Sequence, residues 1–323
     1  MLSPKVLELD PAAETDRIVQ FLKKTVLETQ RRRGAVLGIS GGIDSSVVAT
    51  LCVRAFGKDK VVGLFMNEED SSDETHRYGR LIAEHLQIKT FDENITPMLR
   101  ELGCYRRRDE AIKSVVPEYG PGYKSKIVLP SVVDSDAYRV FSVVVQPPGG
   151  GPTIKARLSP HAYLEIVAST NFKQRTRKML EYYYADRFVY SVAGTPNLLE
   201  YDQGFFVKNG DGAADVKPIA HLYKTQVYAL ARHLGVPAEI CARPPTTDTY
   251  SMPQTQEEFY FSLPYDKMDL CLYGKNHGMS AAEVAPALGL EAAQVERVFR
   301  DIDAKRAVAK YLHMPPMVLK TDG

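Results

Sequence analysis

Residues 40–46 read Ser-Gly-Gly-Ile-Asp-Ser-Ser, and their types and spacing could hold a polyphosphate. Glycines let the backbone approach an anion closely, and the first N–H groups of a following helix point at it. Ser40, Ser45 and Ser46 add hydroxyl donors. The segment is neither G-x-x-x-x-G-K-[ST] nor G-x-G-x-x-G. It carries instead an acid, Asp44, at the predicted helix start. A carboxylate beside bound phosphates is repelled unless a cation lies between them. Mg²⁺ fills that place using one or two carboxylates and phosphate oxygens. A helix-capping role is the alternative for Asp44.

Four ordered blocks follow further along the chain. They are Asn171-Phe172-Lys173-Gln174-Arg175-Thr176-Arg177; Gly194-Thr195-Pro196-Asn197-Leu198-Leu199-Glu200; Gly204 to Asp215, which includes Lys208-Asn209-Gly210-Asp211-Gly212; and Pro218-Ile219 with Lys224-Thr225-Gln226-Val227. Singly, these residues have ordinary explanations. Lysine and arginine usually sit on solvated helix faces, and aspartates in glycine-rich loops usually form turns.

Taken together, the motifs resemble a known family. Ser-Gly-Gly-x-Asp-Ser is similar to the phosphate loop of the ATP pyrophosphatase group. The blocks from 171 to 248 resemble ammonia-dependent NAD⁺ synthetases, and with the loop the likeness spans roughly residues 15–100 and 160–311. The resemblance implies adenylation of the nicotinate carboxylate of deamido-NAD⁺ by ATP, then displacement of AMP by ammonia. It implies ATP contacts at Gly38, Ile39, Ser40, Gly41, Gly42, Ile43, Asp44, Ser45, Ser46, Thr195, Lys224 and Thr246. Asp44 and Lys224 would be catalytic, and Asp44 and Glu200 would hold Mg²⁺. Arg175, Lys208, Asp215 and Lys305 would contact deamido-NAD⁺. A homodimer is implied. No stretch resembles a glutaminase, so free ammonia or a separate glutaminase would supply nitrogen.

The sequence departs from the family pattern in three places. Gln254-Thr255-Gln256-Glu257-Glu258-Phe259-Tyr260-Phe261 replaces Q-T-D-E-x-E-L-G. Leu199 stands where a small polar residue is usual. Ala304-Lys305 stands for His-Lys. A sibling ligase acting on another carboxylate and an ATP-binding protein without turnover are the alternative readings.

The elements that must position these residues are legible as alternation. Residues 15–30 have helical spacing, with Thr15 or Asp16 as N-cap. Ala35–Ile39, Val61–Met66 and residues 88–91 read as strands, with helices at 47–55 and 74–86 between them. This predicts an α/β fold with a doubly wound, mostly parallel, Rossmann-like sheet. The pattern breaks over about 104–157. There Lys126–Val133 and Tyr138–Gln146, joined by Asp134-Ser135-Asp136, predict an inserted β-hairpin, and Pro147–Pro152 a mobile loop. A helix near 160–185, a strand at 188–193, a helix at 221–234 and a helical C-terminal part complete one 323-residue domain.

Composition sets limits. With 41 Lys+Arg against 40 Asp+Glu, bulk charge gives no sign of a nucleic-acid or anionic-membrane partner. Arg31–Arg33 and Arg106–Arg108 read as solvated surface, and Tyr182–Tyr184 as packing. Cys52, Cys104, Cys241 and Cys271 form no C-x-x-C pair, and Cys52 falls in an apolar helical run. No apolar run nears the roughly 20 residues that span a bilayer, and no signal segment is present. A soluble, cytoplasmic protein is expected.

Overall fold

The structure is a computed structural model, which describes residues 2–133, 140–245, 249–261 and 263–319. Its strands are β1 (Ala35–Gly38), β2 (Val61–Phe65), β3 (Lys89–Asp92), β4 (Lys124–Val128), β5 (Ser142–Gln146), β6 (Ile154–Arg157) and β7 (Ser191–Val192). The helices include α1 (Pro11–Leu22), α2 (Ile43–Phe56), α3 (Asp73–Leu86), α4 (Thr96–Glu101), α5 (Cys104–Lys113), α6 (Pro160–Phe188), α7 (Leu198–Gln203), α8 (Lys224–Leu234), α9 (Ala238–Ala242), α10 (Tyr265–Asn276), α11 (Ala281–Leu288) and α12 (Ala292–His313).

Strands β3-β2-β1-β7 form a parallel sheet in that order. Val36 pairs with Val62 on one side and Val192 on the other. β1 and β2 are apolar along almost their whole length because both faces of the sheet are covered. Val19, Leu22, Val47, Leu51 and Leu230 from α1, α2 and α8 fill one core. Leu99, Cys104, Tyr105 and Tyr184 from α4, α5 and α6 fill another, against Val36 and Val62. The chain winds β1-α2-β2-α3-β3 to one side, then returns as β7 on the other side of β1. Ligands of open α/β sheets bind where the order reverses in this way, beyond the carboxyl ends of the strands. That point lies between the turns after β1 and β7.

The inserted region is a three-stranded antiparallel sheet, β4-β5-β6, rather than a hairpin. The expected pairing of the first two strands holds. Pro147–Pro152 leads into β6, whose Ile154 pairs with Val145. That short strand alternates partly buried and exposed residues, a weak signal beside two valine-rich neighbours. The Asp134-Ser135-Asp136 connection lies outside the described residues.

Helix α1 starts at Pro11, four residues before Thr15. The Asp10 carboxylate accepts hydrogen bonds from the N–H groups of Ala12 and Ala13, so Asp10 is the N-cap rather than Thr15 or Asp16. Thr15 is buried and its hydroxyl donates to the Pro11 carbonyl. A π-helical stretch, Lys23–Thr29, continues α1. The C-terminal part is helical as predicted and includes α11 and α12, and α11 has a capping box of Ser280 and Glu283. Cys52 is fully buried, as expected.

Candidate active site at the β1–β7 switch point

The turn after β1 is tight because Gly41 takes φ +68° and lies against α3. A Cβ there would come within 2.6 Å of the Gly79 nitrogen and the Tyr78 Cβ. Gly42 is the N-cap of α2, and no side chain caps this helix. Its first N–H groups therefore remain available to an anion. The serine hydroxyls make local bonds. Ser45 and Ser46 donate to the Gly42 carbonyl at 3.0 and 2.9 Å, and Ser40 and Ser45 lie 3.1 Å apart.

Asp44, in the first turn of α2, faces residues from two distant segments. Its carboxylate forms an ion pair with the Lys224 ammonium and accepts a 3.1 Å hydrogen bond from Asn197 Nδ2. Asn197 caps α7 reciprocally with Glu200: the Glu200 N–H donates to Asn197 Oδ1, and the Asn197 N–H to Glu200 Oε2. Glu200 also accepts from Gln256 Nε2 at 3.0 Å. Burial, followed by the nearby Asp44 charge, pushes the Glu200 carboxyl up to about 7. Lys224 is 2% exposed. Burial alone would lower its ammonium, but the charges of Asp44 and Glu200 outweigh burial and raise it.

Lys224 is the first residue of α8, where the helix dipole does not favour a cation. Asp269 of α10 offsets this. It is fully buried, and its carboxylate accepts from the N–H groups of Lys224 and Thr225 at 3.2 and 2.7 Å. The helix start is thereby fixed, with its lysine turned toward Asp44.

These groups line a cavity of about 480 Å³. It gathers Gly38, Ile39, Ser40, Gly42, Ile43, Asp44, Ser45, Thr195, Glu200 and Lys224 from the sequence-derived set. Gly41 and Ser46 shape the turn without lining it. Thr246 lies outside the described residues. Arg175, Lys208, Asp215 and Lys305 lie away from the cavity wall. Arg175 Nε donates to the Lys208 carbonyl, and Lys208 Nζ to the carbonyls of Tyr311 and Met314. Asp215 accepts from the Val192 N–H and the Tyr182 hydroxyl and lines a separate polar hollow. Lys305 pairs with Asp301 and donates to the Tyr260 carbonyl.

The cavity also contains residues to which the sequence reading gave no role. Arg243 reaches it while donating to Thr75 Oγ1. Arg177 lines it and donates to the Met66 carbonyl. Phe141 and Tyr163 stack at 4.1 Å along one wall. A buried ionic cluster meets the cavity lining at Thr249. Lys173, 1% exposed, pairs with Glu68 at 2.9 Å and Asp70 at 2.6 Å and donates to the Thr249 carbonyl. Arg108 pairs with Asp70 and Asp109. Arg108 is therefore buried, unlike exposed Arg106 and Arg107, and corrects the expectation of a solvated run. Every third or fourth residue of α5 turns inward, and Arg108 falls on that face with Cys104, Tyr105, Ala111 and Ile112. Lys173 and Arg177, one turn apart on α6, were the available signal for this face.

The arrangement therefore combines an uncapped helix start, a buried lysine, a second cation and two adjacent carboxylates. It suits a polyphosphate whose departing charge must be stabilised. The sequence model of the family described as NAD synthase matches residues 14–115 and 152–309.

The chain belongs to the NAD synthase family.

Its relatives include an "NH(3)-dependent NAD(+) synthetase" of Mesorhizobium japonicum, 61% identical over 313 residues and covering 97% of this chain and 98% of the relative. A protein of the same description from Rhizobium meliloti is 59% identical over 320 residues, with 99% and 95% covered. The fold is similar to that of an NH3-dependent NAD synthetase from Campylobacter jejuni, with TM-score 0.61, 21% identity and 97% and 100% covered. It is also similar to an NMN synthetase from Francisella tularensis, with TM-score 0.65, 20% identity and the same coverage. Residues 116–151 fall outside the NAD synthase match, and they hold β4 and β5.

Proposed function

We propose that this NAD synthase catalyses amidation of deamido-NAD⁺ by ammonia, converting ATP to AMP and pyrophosphate. The observation that carries this reading is the 61% identity to an NH3-dependent synthetase along nearly the whole of both chains. The cavity supports it. The turn from Ser40 to Ser46 and the N-terminus of α2 receive the pyrophosphate portion of ATP. Lys224, with Thr195 beside it, offsets the charge that develops as the nicotinate carboxylate attacks the α-phosphorus. Positioning and charge stabilisation supply the catalysis, so no general base is needed.

Asp44 and Glu200 supply hard oxygen ligands, and Mg²⁺ takes one or two carboxylates when phosphate oxygens and water complete its shell. Among the described residues no group of three or more His, Cys, Asp or Glu forms a closed metal site, so the donor set suits a metal shared with phosphates. These two residues would hold Mg²⁺, which neutralises polyphosphate charge when bound.

The more distant parts of the dinucleotide contact Arg175, Lys208, Asp215 and Lys305. Their position outside the single-chain cavity supports a homodimer in which the dinucleotide extends past it. Exposed Leu164, Met179 and Tyr183 on α6 give apolar surface for that assembly. Ammonia arrives free or from a separate glutaminase. No helix among the described residues is long and apolar enough to cross a membrane, and the four cysteines are unpaired, which supports a cytoplasmic enzyme. The whole chain works as one ligase domain, with the insertion placed over about 104–157.

Incubation with ATP, Mg²⁺, ammonium and deamido-NAD⁺ tests the proposal. Equimolar NAD⁺, AMP and pyrophosphate are expected. Absence of NAD⁺, while other acids release pyrophosphate from ATP, would assign the chain to a different acyl substrate.

A further inference from the structure

Strand β4 is an edge strand, bonded to β5 on one side only. An edge of this kind presents unpaired N–H and C=O groups. Here a segment from the other end of the sequence covers them. The Ser125 N–H donates to Ser251 Oγ at 2.9 Å, and the Met252 N–H donates to the Ser125 carbonyl at 3.2 Å. Buried Gln254 donates to the Ile127 carbonyl. The Lys126 ammonium donates to the Pro253 carbonyl and pairs with Glu258 at 2.6 Å. Thr249, Tyr250 and Gln256 of the covering segment line the cavity. Lys173 holds the Thr249 carbonyl at one end, and Gln256 holds Glu200 at the other.

We propose that the inserted sheet is a positioning element for the amidation, and that Lys126 and Ser125 of β4 hold residues 249–258 as a wall of the cavity. The inference rests on the amidation reading. Two facts place the function in the insertion. β4 and β5 lie outside the stretch matched by the family, so the common chemistry does not account for them. Five separate contacts at three consecutive β4 residues converge on one cavity-lining segment. The wall keeps Gln256 on Glu200 and shields the activated acyl group. Without it, water adds to the acyl carbon and the bond to the adenylate oxygen breaks. Carboxylate, AMP and a proton are released, so ATP is consumed with no NAD⁺ formed.

The test compares moles of AMP with moles of NAD⁺ at limiting ammonium, in wild type and in the Lys126→Ala/Ser251→Ala double variant. Wild type gives a ratio near one. The double variant is expected to raise it severalfold, and Lys126→Arg, which keeps the cation, is expected to hold it near one. A ratio of one in the double variant with turnover within twofold of wild type overturns the proposal, as does an equal rise in Lys126→Arg. Hydrogen exchange on the unliganded wild-type protein supplies a readout independent of variant folding and of substrate identity. The Met252 amide should be protected, and exchange at the free-chain rate overturns the proposal. Failure of wild type to form NAD⁺ counts against the amidation reading alone.

Discussion

The Lys224 ammonium and the Asp44 carboxylate are ion-paired across 180 residues of sequence, and the lysine is almost fully buried. Removing one member of a buried pair leaves an uncompensated charge, which costs about 3–5 kcal/mol. Here Glu200 would be a second acid without its cation. Lys224→Ala should therefore lower the thermal midpoint clearly and reduce pyrophosphate release by roughly 100-fold or more. Differential scanning fluorimetry and a pyrophosphate assay measure the two effects. Turnover within tenfold of wild type would remove Lys224 from the mechanism.

Glu200→Gln separates charge from architecture. Glutamine can still accept the Asn197 N–H in the capping box, so α7 should persist. The carboxyl is already pushed up to about 7, chiefly by burial, so its ionised form is costly in the free protein. The midpoint without Mg²⁺ should stay level or rise. The Mg²⁺ concentration for half-maximal rate should increase by roughly tenfold or more, since a ligand charge is lost. An unchanged Mg²⁺ requirement would exclude Glu200 as a ligand.

Gly41→Ala places a methyl against the Gly79 backbone at a left-handed φ. The strain is about 1–3 kcal/mol, and relief would move the turn proposed to receive phosphate. Stability should fall by that amount and ATP affinity should fall with it. Denaturant unfolding and isothermal titration test both, and wild-type values in each would contradict the described turn.

The Asp269 carboxyl is pushed up, chiefly by burial, from 3.8 to about 6. The folded protein thus holds this proton more tightly than the unfolded chain. The stabilising contribution of the protonated form is fully present below pH 3.8 and is lost as pH rises through about 6. The change is on the order of 3 kcal/mol. Unfolding free energies from pH 4 to 7 should lose this component in Asp269→Asn. An identical pH profile in that variant would refute the assignment. Asp269→Ala should also weaken catalysis, because the start of α8 loses its anchor.

How far the sequence disclosed the site follows from range. The turn 40–46, its strand and its helix are local, and period and glycine placement revealed them. The capping box of Asn197 and Glu200 is local as well. Asp269 looked like any helical aspartate, because its value depends on the start of α8, 45 residues away in sequence. Arg108 sat in a basic run, and only the packing of α5 on α6 separates it from its exposed neighbours. β6 was missed because its alternation is short and weakly apolar. Gln256 lay in a stretch that departs from the family pattern, yet it bonds Glu200 directly.

The anchoring of Lys224 by Asp269 bears on how the enzyme is born. Synthesis delivers the phosphate turn early, within the first fifth of the chain. The cation comes much later, and the carboxylate that seats it later still, on α10. A nascent or prematurely terminated chain that stops before Asp269 carries the turn without a fixed lysine to complete it. On the proposed role of Lys224, the ability to split ATP would emerge only when most of the polypeptide has been made, and unfinished chains would not spend nucleotide without product.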